Sequence, residues 1–267
     1  MSAAIDRLRL LRQDAGSATP VMAPSPVPDE LRRLLGIRAR AKAPARVAPD
    51  RWLTGDQISP GLRFLEQFHE APELPDEIDA DFARMGRFRT SDLLFFDTET
   101  TGLAGGTGTR AFMIGALDVQ DDRLRLRQLL TTTMAAETSM LQTFADWIGP
   151  QTALVSYNGK SYDRPLLSTR YRLARLPDPL RDRAHIDLLH PVRRRWRGAW
   201  ENCRLGTVER QLLGVLREDD LPGSEAPRAW TSYLRGGSAA NLRRVATHNA
   251  QDLRSLAGIC FALDRMR

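Results

Sequence analysis

The decisive stretch of this sequence is LLFFDTETTGL, residues 93–103, in which four large apolar residues lead into two acids. A short apolar run rich in aromatic residues is typical of a buried strand. Because alternate side chains of a strand point the same way, we expect Asp97 and Glu99 on one face and Thr98 and Thr100 on the other. Two neighbouring carboxylates at the end of a buried strand repel each other and resist desolvation. A cation bound between them would offset that repulsion.

The Asp-x-Glu pattern by itself leaves two interpretations open. Acids at strand ends are common, and most of them are simply solvated. If a metal is bound instead, carboxylate oxygens are the ligands that Mg²⁺ and Mn²⁺ prefer. The rest of the chain has to decide between a metal site and a solvated strand end.

The composition is that of a globular protein. The chain has 267 residues, of which 42% are hydrophobic and 27% are charged. No apolar run approaches the roughly 20 residues that span a bilayer, and the first residues lack the apolar segment of a secretory signal. Cys203 and Cys260 are the only cysteines, so they form neither a disulfide framework nor a zinc site alone. We therefore expect a reducing, cytoplasmic location.

Positive charge is concentrated in the second part of the chain. The net charge is +6, and residues 164–267 hold 20 Arg against 11 acidic residues. The densest run is RRRWR, residues 193–197. A polyanion such as nucleic acid is the partner that this distribution indicates, and a solvated basic face is the alternative.

Three regions differ in composition. Residues 1–50 are rich in Pro, Ala and Arg, which predicts a flexible segment. Residues 51–90 contain several large apolar side chains, so we expect a partly ordered extension that packs on the main domain. Residues 91–267 carry the regular patterns of that main domain.

The order of elements predicts the fold class. Strands are expected at 93–97, 111–119, 124–132 and 153–157, with a short strand or a helix start at 185–189. Helices are expected at 137–148, 163–176, 204–213 and 241–266. This order predicts an α/β fold with a mixed five-stranded sheet, whose first three strands are antiparallel, and flanking helices.

Two further acidic patterns follow the first. After the fourth strand, VSYNGKSYD (residues 155–163) has an Asn-Gly turn before Asp163, which looks like the cap of a helix. In the last helix, HNAQD (residues 248–252) places His248 and Asp252 on one face. A helix cap needs no metal, and the second pattern alone is compatible with a surface pair.

The three patterns in this order resemble those of the DnaQ-like DEDD exonuclease superfamily, which has a ribonuclease H-like fold. HIDLLHP (residues 185–191) and LGTVE (residues 205–209) resemble the YprB-type subfamily more closely. The resemblance covers about residues 92–262. It implies a metal-dependent 3′→5′ exonuclease that uses a two-metal-ion mechanism.

The resemblance also implies roles for individual residues. Asp97, Glu99, Asp163 and Asp252 would hold two divalent cations, Mg²⁺ or Mn²⁺, and His248 would be the general base. His248 precedes Asp252 by four residues, one fewer than is common in the His-type branch, and this spacing is typical of the branch that uses Tyr. The alternative function is a catalytically weak nucleic-acid-binding accessory module of a helicase or polymerase.

A single-stranded or frayed 3′ end of DNA or RNA is the expected substrate. Lys160 and Arg164 are suited to contact phosphate, and Tyr162 and Trp196 are suited to stack on bases, although core packing is the alternative for Tyr162. The residues expected to bind the substrate are Thr100, Asn158, Lys160, Tyr162, Arg164 and Trp196.

Overall fold

The computed structural model describes residues 48–70, 74–102, 106–217 and 221–266. Contacts divide the chain after Ala48, and Pro49–Arg267 is the unit described below. The flexible segment predicted for residues 1–50 lies outside the described residues, apart from its last three positions. None of the helices in the described part combines the length and apolar character that a membrane crossing needs.

A mixed sheet of seven strands forms the centre of the fold. The strands of the chain are β1 (Asp56–Ser59), β2 (Leu62–Glu70), β3 (Glu77–Asp79), β4 (Arg87–Arg89), β5 (Leu93–Thr100), β6 (Ala111–Gln120), β7 (Arg123–Thr131), β8 (Ala153–Ser156) and β9 (His185–Asp187). Their order in the sheet is β1-β2-β7-β6-β5-β8-β9, and β3 pairs with β4 separately. Strands β5, β6 and β7 are antiparallel, whereas β8 is parallel to β5 and to β9. The predicted mixed sheet with an antiparallel start is confirmed.

Strands β1 and β2 extend the five expected strands at one edge. β2 pairs with β7 along its whole length, from Leu62 opposite Thr131 to Glu70 opposite Arg123. The sequence did not reveal β2 because its second half is polar apart from Phe68 and mostly exposed, as suits a strand near a sheet edge. The extension at residues 51–90 therefore supplies part of the sheet itself.

The helices lie on both faces of the sheet. Within the described residues they are α1 (Glu137–Ala145), α2 (Asp163–Leu173), α3 (Leu189–Trp196), α4 (Leu205–Val208), α5 (Ala226–Leu234) and α6 (Ala240–Arg265). A π-helical turn, Glu209–Leu213, continues α4. Helix α5 has no counterpart among the predicted helices, and α1 and α2 each end three residues earlier than expected.

Strand β5 separates two apolar layers. Leu93 and Phe95 pack in one cluster with α6, while Leu94 and Phe96 pack in another with α1 and α2. By the same alternation, Asp97 continues the side of α6 and Thr98 continues the side of α2. The last helix packs an apolar face against the sheet, and the members of this face are all buried: Val245, Leu253, Leu256, Ala257 and Cys260.

Gly115 allows α6 to approach the sheet closely. In the register of β5, β6 and β7, Gly115 lies between Asp97 and Gln128. A Cβ atom at this position would overlap Oδ1 of Asn249 and lie 2.8 Å from Cδ1 of Leu253, both on α6. A glycine in the middle of a strand is typical of such a close approach. It leaves room for Asn249 to lie over the strand between Asp97 and Gln128.

Substitution Gly115→Ala is therefore expected to destabilise the protein by about 1–3 kcal/mol, the usual cost of overpacking a core. The added methyl group must displace Asn249 or Leu253. Thermal and denaturant unfolding of the full chain measure the effect. Gly86→Ala is the control, because no atom lies within 4 Å of its Cβ position. Equal stability of both variants would contradict the close approach of α6.

Candidate active site

Four acids from three elements come together at the carboxyl end of β5. Asp97 and Glu99 lie on β5, Asp163 is the first residue of α2, and Asp252 lies on α6. The pKa of Asp97 is raised well above its usual value, first by burial and then by the charges of Asp252, Asp163 and Glu99. These four predicted residues are thus close enough for their charges to interact.

A buried amide chain holds the Asp97 carboxylate. Asn249 donates from Nδ2 to Oδ2 of Asp97 at 2.9 Å, and Gln128 donates from Nε2 to Oδ1 of Asn249 at 2.8 Å. Both amides are buried. Neither was among the expected site residues. The one signal for Asn249 is a polar residue within the apolar stripe between Val245 and Leu253 of α6.

Asp163 turns toward the sheet. Oγ1 of Thr98 donates a hydrogen bond to Oδ1 of Asp163, which brings α2 to the end of β5. Burial raises the pKa of Asp163 to about 6, and the hydrogen bond from Thr98 opposes this shift. The expectation that Asp163 caps α2 is wrong, because α2 begins at Asp163 itself and Tyr162 precedes it without a side-chain cap. The Asp163 side chain belongs to the acidic site instead.

Asp187 of β9 holds the loop that leads to Asp163. Its buried carboxylate accepts hydrogen bonds from the backbone N–H groups of Asn158 at 2.7 Å and Lys160 at 3.1 Å. Asn158 has a left-handed backbone with φ 65°, as expected at the start of an Asn-Gly turn. Asp187 lies in the stretch HIDLLHP, residues 185–191, but the sequence did not predict that it positions the site.

A cavity of about 590 Å³ opens beside Asp97 and Asp163. Its lining comprises Asp97, Thr98, Thr100, Gly102, Gly106, Thr109, Tyr157, Asn158, Ser161, Tyr162, Asp163, Pro165, Leu166 and Thr169. Three of the expected substrate-binding residues are therefore at the cavity: Thr100, Asn158 and Tyr162. Core packing, the alternative for Tyr162, is wrong because this side chain is 58% exposed.

The other three expected substrate-binding residues do not line the cavity. Lys160 is exposed, and Arg164 donates from Nη2 to the carbonyl oxygen of Leu180 at 3.0 Å. Trp196 stacks on Trp200 with a ring separation of 4.5 Å. Arg164 in this position supports the backbone rather than facing the acids.

Ion pairs hold the segment 106–110, which leads from the cavity into β6 and contains Gly106 and Gly108. Arg170 of α2 donates to both carboxylate oxygens of Glu137, at 2.6 and 2.7 Å, and to the carbonyl oxygen of Thr107 at 2.8 Å. Arg110 donates to the same Glu137 carboxylate at 2.9 Å. Thr107 and Arg110 of this segment are thereby held to Arg170 of α2 and Glu137 of α1.

His248 and Asp252 face the same way on α6, as predicted, with 3.6 Å between Nε2 and Oδ2. Arg217, from the irregular segment after the π-helical turn, donates to Oδ1 of Asp252 and pairs with the buried Glu209. Burial raises the pKa of Asp252, His248 and Arg217 oppose this shift, and Glu209 adds to it. Arg217 was not expected, because a single arginine in an irregular segment has no distinguishing pattern.

The acids have the donor chemistry for Mg²⁺ or Mn²⁺. Burial raises the pKa of Asp97 most, the neighbouring acids raise it further, and a cation would relieve their repulsion. The geometry of a formed metal site is missing, however. Among the described residues, no group of three or more His, Cys, Asp or Glu side chains is arranged to hold a metal ion. Asp97, Asp163 and Asp252 instead point to Asn249, Thr98 and Arg217.

Comparisons with known proteins agree with this fold. A model of the RNase H superfamily matches residues 94–263. The uncharacterized protein YprB of Bacillus subtilis (strain 168) is 38% identical over 174 residues, which are 64% of this chain and 42% of that protein. The chain therefore spans about two fifths of the length of this curated relative.

Two of the similar solved structures match the chain to different extents. The family B DNA polymerase of Pyrobaculum calidifontis is 18% identical with a TM-score of 0.52, over 64% of this chain and 24% of that chain. Exonuclease I of E. coli, in complex with a dT13 oligonucleotide, is 16% identical with a TM-score of 0.40, over 56% of this chain and 42% of that chain. At 18% identity the polymerase shows a shared fold alone.

His185 of β9 is expected to make the free energy of unfolding depend on pH. It hydrogen-bonds through Nε2 to Oγ of Ser156 at 2.8 Å, and burial lowers its pKa from 6.5 to about 3, with Arg164 and Lys160 adding to the shift. The folded protein therefore keeps His185 neutral while the unfolded chain takes up a proton near pH 6.5. The contribution of neutral His185 to the free energy of unfolding is therefore complete above this pH, and it is lost progressively as the pH falls toward 3.

Substitution His185→Gln is accordingly expected to reduce the loss of unfolding free energy between about pH 6.5 and pH 4, because Gln does not titrate. Denaturant unfolding at a series of pH values measures the slope. The exposed His190 provides the control His190→Gln, which should keep the wild-type slope. Identical slopes in all three proteins would show that His185 is not buried in its neutral form.

Proposed function

Because this chain belongs to the RNase H superfamily, we propose that it is a metal-dependent 3′→5′ exonuclease that hydrolyses phosphodiester bonds at single-stranded or frayed ends. The observation that carries this proposal is that Asp163 and Asp252, which lie on two different helices, are close enough to Asp97 of β5 for their charges to raise its pKa in addition to the effect of burial. The motifs around these acids resemble those of the DnaQ-like exonucleases and, more closely, the YprB-type subfamily.

The acids are the proposed ligands of two divalent cations, Mg²⁺ or Mn²⁺: Asp97, Glu99, Asp163 and Asp252. When bound, such cations activate a water molecule and offset the charge on the leaving oxygen. The chain itself supplies orientation, since Asn249 fixes one oxygen of Asp97 and Thr98 fixes one oxygen of Asp163. His248 is the proposed general base, because an imidazole can take up a proton near neutral pH.

The cavity supports a strand end as the substrate. Its volume of about 590 Å³ is within the range of small-molecule sites. A cavity of this size is too small for a closed duplex. Tyr162 exposes its ring at the cavity, where a base can stack on it. Gly102 and Gly106 also line the cavity, and the absence of a side chain there lets the backbone approach sugar and phosphate.

The basic run on α3 supports nucleic acid as the partner. Arg193, Arg194 and Arg195 on α3, together with Arg197, are exposed. Burial raises the pKa of the cavity residue Tyr157, and the nearby charge of Arg193 opposes this shift. Of this run, Arg193 is therefore near the cavity, where its charge can attract a polyanion.

Hydrolysis of oligonucleotides labelled at the 5′ end tests the proposal. With Mn²⁺ or Mg²⁺, the full chain should shorten single-stranded DNA or RNA stepwise from the 3′ end, and duplex substrates should react more slowly. Substitutions Asp97→Asn and Asp163→Asn should reduce hydrolysis to background while thermal unfolding remains cooperative. Asp182→Asn is the control, because Asp182 is 90% exposed, and this variant should keep full activity.

Three results would contradict the proposed exonuclease. Internal fragments without stepwise shortening would indicate an endonuclease. Binding of single strands without any hydrolysis would favour the accessory module of a helicase or polymerase. Full activity of a folded Asp97→Asn protein would remove the acids from the mechanism.

A further inference from the structure

Arg217 is a cation supplied by the chain within the acidic site. Its guanidinium donates to the carboxylate of Glu209 from Nε at 2.7 Å and from Nη2 at 2.5 Å. Nη2 also donates to Oδ1 of Asp252, and Nη1 lies 3.0 Å from Nδ1 of His248. The side chains of Arg217 and Asp252 are 15% and 14% exposed, so this contact is largely shielded from solvent.

The contact with Asp252 changes what that carboxylate can bind. A carboxylate oxygen that accepts a charge-assisted hydrogen bond has less charge and fewer lone pairs to offer to another cation. A divalent ion at Asp252 would also lie next to the positive guanidinium. In this arrangement, Arg217 and a metal ion are therefore alternative partners of Asp252.

The contact with His248 affects its proposed role as a base. Since arginine can only donate, Nδ1 of His248 must accept, and the neutral ring then carries its proton on Nε2. Nε2 is the nitrogen that faces Asp252, at 3.6 Å from Oδ2. A ring in this tautomer has no free lone pair at Nε2 with which to take a proton from water. While Arg217 stays in place, His248 is not ready to act as a base.

We propose that Arg217 competes with metal ions for Asp252 and that it must withdraw from Asp252 and His248 before the site becomes active. This inference rests on the proposed role of Asp252 as a metal ligand. Its two supporting contacts come from one guanidinium and have different effects: one occupies a carboxylate oxygen of Asp252, and the other fixes the tautomer of the His248 ring.

Glu209 allows Arg217 to leave Asp252 when a metal ion binds there. It is fully buried, and it accepts two hydrogen bonds from Arg217 and one from Oγ of Ser255 on α6. If a metal ion takes Asp252, the guanidinium still has a carboxylate partner and is not left as an unpaired buried charge. Glu209 thus keeps Arg217 beside the site in both arrangements.

Mn²⁺ titration of the full chain without nucleic acid, followed by the electron paramagnetic resonance signal of free Mn²⁺, tests the competition directly. Because removing Arg217 alone would strand the buried Glu209, the test variant is the charge-matched double substitution Glu209→Gln with Arg217→Met. We expect this variant to bind Mn²⁺ at least about tenfold tighter than wild type, which corresponds to about 1.4 kcal/mol. Addition of Asp252→Asn should abolish that gain.

The matched control is Glu201→Gln with Arg210→Met, which removes an exposed ion pair of the same type near the π-helical turn. It should bind Mn²⁺ like wild type. Unchanged or weaker Mn²⁺ binding by the folded Glu209→Gln, Arg217→Met protein would overturn the proposal. A gain that persists in the presence of Asp252→Asn would overturn it as well.

The ring nitrogens of His248 provide a second, metal-free measurement. The chain has only four histidines, so the ¹⁵N resonances of their rings can be assigned by substitution. In wild type, His248 should carry its proton on Nε2, and loss of Arg217 should allow the Nδ1-protonated form to appear. A wild-type ring with its proton on Nδ1 would contradict the proposed contact.

The outcomes separate this inference from the proposed function. Hydrolysis by wild type together with unchanged Mn²⁺ affinity in the double variant would overturn only the role of Arg217. Tighter Mn²⁺ binding by the double variant, without hydrolysis by any of the proteins, would support that role and overturn the exonuclease.

Discussion

The repulsion among carboxylates at the end of β5 is the constraint on which the rest of the site depends. Asp97 is partly buried beside Asp163, Asp252 and Glu99, and its pKa is raised first by desolvation and then by these charges. A fold gains nothing in stability from such an arrangement, since each added negative charge increases the cost of ionising its neighbours. The arrangement is understandable if the acids serve a ligand, and cations are the ligands whose binding relieves this cost.

Several residues around these acids hold them in place. Gly115 lies between Asp97 and Gln128 across three strands, and the space above it is filled by Asn249, which bonds to both. On the other face, Thr98 binds Asp163, and Asp187 fixes the loop that precedes it. Orientation of a ligand by buried hydrogen-bond partners is the general way in which proteins prepare charged sites. Arg217 differs from these residues because it neutralises an acid as well as holding it.

The sequence predicted the parts of the molecule that repeat with a regular period. Strand β5 and helix α6 were evident because apolar residues recur at strand and helix spacing. The acids near the end of β5 and in the middle of α6 were therefore assigned to the correct elements. Strand β2 was not evident, because half of its residues are polar at the sheet edge. Asn249 and Gln128 meet only after β7 and α6 are packed, so no local pattern reveals their contact. Arg217 lies in an irregular segment, where the spacing of residues does not indicate which way a side chain points.

Anomalous scattering from crystals soaked in Mn²⁺ locates bound cations without relying on activity. We expect at least one Mn²⁺ within about 2.5 Å of an Asp97 carboxylate oxygen, with a second ligand from Asp163 on α2 or Asp252 on α6. Mn²⁺ bound only to acids elsewhere on the surface, with Asp97, Asp163 and Asp252 lacking any ion at saturating concentration, would contradict this expectation.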